Sequence, residues 1–464
     1  MTIRNWQACL DRGEGFALTN ECGKSSLVSI LFCFLVLSIA TSVPILATAL
    51  AQPIETIEIA SSPNPVGSGA RALGMGAFIA VADDATAASW NPGGLIQLER
   101  PELSIVGAFF YRSEDNHFGD HPEASGPQKI STMHLNYLSA TYPFVLFKRN
   151  MIVSLNYQNL YDFRRKWNFP LFRNSWQVDY KQSGGLSAIG LAYAIQITPH
   201  LSFGVTVNRW DDDISSNEWE QKNIIKGSDT DAGGDKFFFK SFIYDRYSIK
   251  GGTNFNLGFL WNITDKITLG GVYKTPLKAD LKHWHRAGYS LSFPSAPEMN
   301  TENMTSTETD ETLYLPMSYG LGLAYRFSDK LTVAADLYRT EWGDFKIKTA
   351  DGREISPITG KPVQESSVKP THQVRLGAEY LFIKNKFIIP VRGGIFYDPA
   401  PSEKKSDDYY GFSLGTGIGW GKFIFDIAYQ YRFGKNVNSA IVRDMAFSQD
   451  VRSHTIYSSI ILHF

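Results

Sequence analysis

The sequence predicts an all-β fold: a 14-stranded antiparallel transmembrane β-barrel with an N-terminal hatch, or plug, inside its lumen. Three observations predict it. Segments of alternating polarity recur from residue 102 to the C-terminus, the connections between them alternate between short and long, and an irregular Gly- and Ala-rich stretch comes first.

The clearest segment is 422–433. Phe423, Phe425, Ile427, Tyr429, Tyr431 and Phe433 fill one face, and Lys422, Asp426, Ala428, Gln430 and Arg432 share the other with Ile424. Period-two alternation places these sets on opposite sides of a sheet. Fourteen segments follow this pattern, centred on 102–111, 132–142, 151–161, 185–197, 200–209, 249–262, 266–278, 313–327, 330–347, 371–382, 387–397, 409–420, 422–433 and 453–464. The connections at 144–150, 198–199, 264–265, 328–329, 383–386 and 421 are short. Those at 112–131, 162–184, 210–248, 279–312, 348–370, 398–408 and 434–452 read as long loops. Short turns on one side and long loops on the other is the arrangement of barrels in the outer membrane of a Gram-negative bacterium, with the turns periplasmic. Closure has a physical cause. Hydrocarbon offers no water to strand-edge N–H and C=O groups, so a membrane sheet cannot have an edge.

Composition agrees. The chain has 464 residues and 14% aromatics, yet a mean hydropathy of −0.17, too polar for a bundle of membrane helices. One long apolar run, 27–50, follows Lys24 and ends at Ala49-Leu50-Ala51, the order of a secretory signal peptide. The expected division is a signal peptide 1–51, a hatch 52–100 and a barrel 101–464. Cys9, Cys22 and Cys33 all fall in the signal, so the mature chain holds no disulfide and no thiol ligand. Net charge is −1, without the basic excess that a nucleic-acid partner requires. The chain ends on Phe464, aligned with Leu462 and Ile460 on one apolar face. Such a terminal aromatic resembles the signal read by the barrel-assembly machinery. Further expected partners are outer-membrane lipid and lipopolysaccharide, and the chain is expected to be a monomer.

Fourteen strands enclose more space than their own side chains fill, since eight pack solid and sixteen leave a channel. The segment 52–100 is the candidate filler. Its stretches GSGARALGMG (67–76), AVADDA (80–85) and WNPGGL (90–95) resemble the N-terminal hatch of the FadL superfamily, outer-membrane transporters of long-chain fatty acids and aromatic hydrocarbons. Gly93 stands where that pattern usually has Ala. Segments around Leu315-Pro316, 338–342 and 392–398 extend the resemblance into the barrel. It implies structural or gating roles for Gly74, Gly76, Asp83, Asp84, Asn91, Pro92 and Gly93. It also implies passive uptake of a hydrophobic small-molecule ligand, with exit sideways at a kink in the third strand. The residues 151–161 contain neither Gly nor Pro to cause such a kink, whereas Pro390 must cost the eleventh strand a ladder hydrogen bond. In the fatty acid transporters the third and fourth long loops form an outer groove, which makes Trp219, Phe237, Phe239, Trp284 and Phe293 the ligand-binding candidates.

The motif GARALGMG is also close to the PorV/PorQ branch of secretion-linked barrels, so a scaffold that binds a protein partner is an alternative reading, and a general porin a second. Asp83 and Asp84, costly to bury alone, are expected to pair with lumen Arg or Lys or with backbone N–H groups. Asn91-Pro92 reads as a tight turn. No catalytic residue and no cofactor is assigned. The two imidazoles of His283-Trp284-His285 share a face, but the sequence identifies no third ligand, so no metal is assigned either. The dinucleotide fingerprint at 67–72 lacks its preceding strand and is rejected.

Overall fold

The computed structural model describes residues 67–172, 175–231, 233–439, 441–442 and 445–464. The expected signal peptide and the first part of the expected hatch segment lie outside them. Fourteen antiparallel strands form the wall: β1 (Glu102–Phe118), β2 (Gly126–Leu146), β3 (Arg149–Asp162), β4 (Trp176–Thr198), β5 (Leu201–Trp210), β6 (Lys236–Asn262), β7 (Ile267–Lys274), β8 (Ser318–Arg326), β9 (Leu331–Thr340), β10 (Thr371–Ile383), β11 (Phe387–Tyr397), β12 (Tyr409–Trp420), β13 (Phe423–Val437) and β14 (Phe447–His463). Each pairs with the next, and β14 pairs with β1 from Glu102↔His463 to Phe118↔Phe447, closing the cylinder. Every predicted segment overlaps one of these strands, although 266–278, 313–327 and 330–347 each run across a break into a neighbouring element.

The alternation has its predicted physical meaning. On β13, Phe425 and Ile427 are half exposed on the outside, while the alternating Asp426 and Ala428 are buried in the lumen. Leu155, Leu191, Leu321, Leu376 and Leu414 extend the exposed apolar belt around the wall. No described helix is long and apolar enough to cross a membrane. The periplasmic turns are tight. Phe147 and Lys148 both have positive φ between Leu146 and Arg149, the backbone of a two-residue hairpin that matches strand twist.

The long connections differ from expectation. Most of 162–184, 210–248 and 279–312 is β-sheet rather than loop. β4 and β6 run for 23 and 27 residues, where about 9–11 suffice to cross the bilayer. Their outer halves pair with strands Arg165–Leu171, Glu218–Thr230 and Leu277–Ser292, and the last of these pairs with Thr301–Leu315. A strand in water needs a ladder but no lipid-facing apolar stripe, so TENMTSTETDETLYL gives no alternation to read. Its Thr residues nonetheless suit a pleated surface.

The predicted irregularities also resolve. At Pro390 the β11–β12 pairing skips Ile389 and Pro390, and the Thr416 hydroxyl donates to the freed Pro390 carbonyl at 2.9 Å. β3 does contain a distortion, a register shift between Asn159 and Tyr161 against β4. The enabling glycine is on the partner strand. A Cβ on Gly185 would lie 2.2 Å from the Tyr161 carbonyl oxygen.

The core lies inside the cylinder. Ala72, Met75, Phe78, Ile79, Trp90 and Leu95 of the pre-barrel segment pack against Ile152, Ala192, Val272, Ala334 and Tyr338 of the wall.

Candidate functional site

Residues 67–98 thread the lumen as a short helix α1 (Ala70–Met75), followed by 3-10 turns at Ala85–Ser89 and Pro92–Gln97. Helix α1 lies against β12 and β13 through absent side chains. A Cβ on Gly74 would stand 2.9 Å from the Gly415 Cα, and one on Gly76, already at φ +81°, 3.2 Å from Ser413 Oγ. Charge fixes the same end. Arg71 bonds Asp83 within the plug and Glu379 on β10 at 2.9 Å. Arg392 on β11 then links Glu379 at 2.6 Å to Asp426 on β13 at 2.5 Å. Asp336 on β9 accepts the backbone N–H groups of Phe78 and Ile79. Asp83 thus pairs with the plug's own arginine rather than with one from the wall.

The other end is held by hydrogen bonds rather than by an ion network. Asp84 caps the first 3-10 turn, accepting from Thr86 N at 2.9 Å, and Glu102 accepts from Ala85 N at 3.0 Å. Asn91 caps the second turn through Gly93 N, while its amide donates to the Ile79 and Phe259 carbonyls at 2.7 and 3.0 Å. Pro92 and Gly93 then press directly on the wall. A Cβ on Gly93 would sit 2.7 Å from the Phe259 Cα, and one on Gly204 2.3 Å from the Pro92 carbonyl carbon. Asn91-Pro92 is the expected tight turn, wedged between β5 and β6.

Above this wedge is a cavity of about 60 Å³ lined by Gln158, Tyr161, Asn208, Trp210, Lys274 and Trp342. Two residues of its lining meet Trp90 of the plug, whose ring lies 4.8 Å from that of Tyr338 and 4.3 Å from the Lys274 ammonium. An amide chain crosses one side. Gln158 donates to Asn208 at 2.8 Å, and Asn208 and the Trp210 indole both donate to Asn254. Toward the outside the cavity meets a buried apolar column that includes Phe163, Trp219, Leu277, Leu281, Leu313 and Leu315. A larger concavity, about 840 Å³, lies on the lipid-facing wall around Phe203, Leu257, Tyr273 and Leu321.

The five candidate aromatics do not form one groove. Trp219 belongs to the column, stacked on Tyr247 at 4.9 Å and edge-on to Phe163 at 5.5 Å. Phe237 stacks on Phe293 at 5.5 Å, and Phe239 meets Trp176 at 4.4 Å farther out. Trp284 stands apart beneath Arg246 and Lys282. Sequence reading missed Arg71, Asp336, Glu379 and Lys274. Their signal was a charge on the inward face of a strand or beside the Gly-rich motif, but the pattern does not say which charges meet.

A family model for outer membrane protein transport proteins (OMPP1/FadL/TodX) matches residues 60–461. The 47 kDa outer membrane protein of Pasteurella multocida is 25% identical over 197 residues, which span 41% of this chain and only 42% of that relative's length. Among solved structures, a FadL homologue of Pseudomonas aeruginosa aligns with TM-score 0.55 at 13% identity, covering 88% of this chain and 100% of that one. The toluene transporter TodX of Pseudomonas putida aligns with TM-score 0.52 at 14% identity over the same shares. At these identities the structures speak for the fold.

Proposed function

The chain belongs to the OMPP1/FadL/TodX family of outer membrane transport proteins, and from that premise we propose that it admits anionic amphiphiles of the long-chain fatty acid class. The observation that carries this reading is the apolar column meeting a cavity that Lys274 lines. A long alkyl chain gains roughly 0.8 kcal/mol for each CH₂ buried, and its carboxylate gains a charge-assisted hydrogen bond from the ammonium. An uncharged aromatic hydrocarbon would use the column but not the lysine. The family consists of transport channels, so neither the porin nor the scaffold reading is carried forward.

Passage requires movement. The cavity of about 60 Å³ is less than half the roughly 150 Å³ that holds a benzene. Capture in the column, contact with Lys274 and displacement of Trp90 form the inward sequence. The distortion of β3 supports a sideways exit. The β2–β3 ladder ends at Tyr137↔Gln158, beside the cavity. Beyond it the two strands meet through side chains such as Thr132 and Asp162, at 3.2 Å.

Purification from native membranes followed by mass spectrometry of bound lipid tests the reading. Fatty acids at near-equimolar amount are expected. A preparation carrying only neutral aromatics, or a stably bound partner protein, contradicts it.

A further inference from the structure

We propose that Asp245, His283 and His285 form a binding site for a divalent transition metal ion of the Zn²⁺ class at the extracellular mouth. The site borders the apolar column through Tyr247, which stacks on both Trp219 and His283, but its metal binding does not depend on the transport reading. Strand Leu277–Ser292 pairs with β6 so that His285 lies directly opposite Asp245, and His283, two residues away, projects from the same face. Donor atoms of the three side chains all lie within 4.8 Å of one another. Asp245 Oδ1 is 2.9 Å from His283 Nε2 and 2.7 Å from His285 Nδ1. Tetrahedral zinc with bonds near 2.0–2.1 Å places its ligand atoms roughly 3.3 Å apart, so the ion needs only small side-chain shifts.

The surroundings match a metal-binding histidine. Glu311 Oε1 lies 3.1 Å from His283 Nδ1, the nitrogen turned away from the cluster. A carboxylate in that place fixes the tautomer and orients the ring toward a metal. Tyr247 stacks on the same imidazole at 4.1 Å and 15°, holding its plane. The Asp245 side chain is 8% exposed and that of His285 35%, so the ion enters past His285 and a water completes its shell. Two imidazoles and one carboxylate suit zinc or a neighbouring transition metal, whereas calcium and magnesium require more oxygen ligands. Without metal, imidazole protons bridge to Asp245, and the ion releases them on binding. Because the ligands sit on two paired strands, a bound ion clamps β6 to its neighbour above the Trp219 column.

The test is Zn²⁺ titration by calorimetry of the detergent-purified mature chain, expressed without a histidine tag and stripped with chelator. One bound equivalent is expected, unaffected by excess Mg²⁺ or Ca²⁺. Substituting Co²⁺ should give the intense visible absorption of a tetrahedral site. His283→Ala/His285→Ala should abolish the equivalent, Asp245→Asn should weaken it, and Glu311→Gln should weaken it roughly 10–100-fold at unchanged stoichiometry. The heat-modifiable electrophoretic shift reports whether each barrel is folded. Should the double variant fail to fold, His285→Ala alone carries the test. No binding to the wild-type chain, or equal binding to a folded His285→Ala chain, overturns the proposal.

Discussion

At α1 the plug is held by charge, with Arg71, Asp83, Glu379, Arg392 and Asp426 in one ion network across three wall strands. At Asn91-Pro92-Gly93 it is held by shape and uncharged hydrogen bonds, backbone against backbone on β5 and β6. The charged end is costly to break, because removing one partner leaves buried charges such as Glu379 and Asp426 less compensated. The wedge end is cheaper to displace, and it lies directly beneath the cavity through Trp90. On the proposed path, a ligand arriving at Lys274 would push on the weaker anchorage, with the ion network as the tether.

Substitutions at the two ends should separate tether from wedge, with ion conductance in planar bilayers as the readout. The largest effect belongs to Arg71→Ala. It leaves Asp83 without its arginine and Glu379 with Arg392 alone, at a cost of about 3–5 kcal/mol for a buried pair such as Arg71–Glu379. The plug should detach at this end and the channel should conduct steadily; a silent channel would show that the network is dispensable. Gly93→Val comes next. Its Cβ would be 2.7 Å from the Phe259 Cα, and overpacking of this kind costs about 1–3 kcal/mol. Brief openings rather than a standing current are expected, since the tether is intact. Asn91→Ala removes a cap worth about 1 kcal/mol and two further donated hydrogen bonds, and should raise opening frequency less than Gly93→Val. Thr416→Val is the smallest. It unpairs the Pro390 carbonyl from the exposed face of β12, removing no bond to the plug, for about 1 kcal/mol. It should lower the unfolding temperature slightly and leave conductance unchanged.

What the sequence made legible follows from which solvent each face meets. In the bilayer one face of every strand must be apolar, so the alternation at Phe425, Asp426, Ile427 and Ala428 is enforced and can be read. Outside the bilayer that pressure vanishes, and strand Thr301–Leu315 passes for a loop. The β3 distortion escapes a reading of β3 because the permissive residue, Gly185, lies on β4. The Gly- and Ala-rich motif marks the plug, since only small residues let Gly74 approach Gly415. Its charge partners are not legible, because Arg71 and Glu379 are 308 residues apart and only barrel closure brings them together. Asp245 is hidden likewise from His283 and His285, and is reached only through strand register.

The central claim is that the column selects an anionic head at Lys274, and one comparison tests it most directly. Radiolabelled palmitate and hexadecane are supplied to cells lacking their own fatty acid transporter and expressing either the wild-type chain or Lys274→Leu. Loss of a hydrogen bond to a charged group costs about 1.5–3 kcal/mol, so palmitate uptake at limiting concentration should fall roughly ten- to hundredfold while hexadecane uptake holds or rises. An unchanged palmitate rate, or an equal fall for both ligands, would contradict the account.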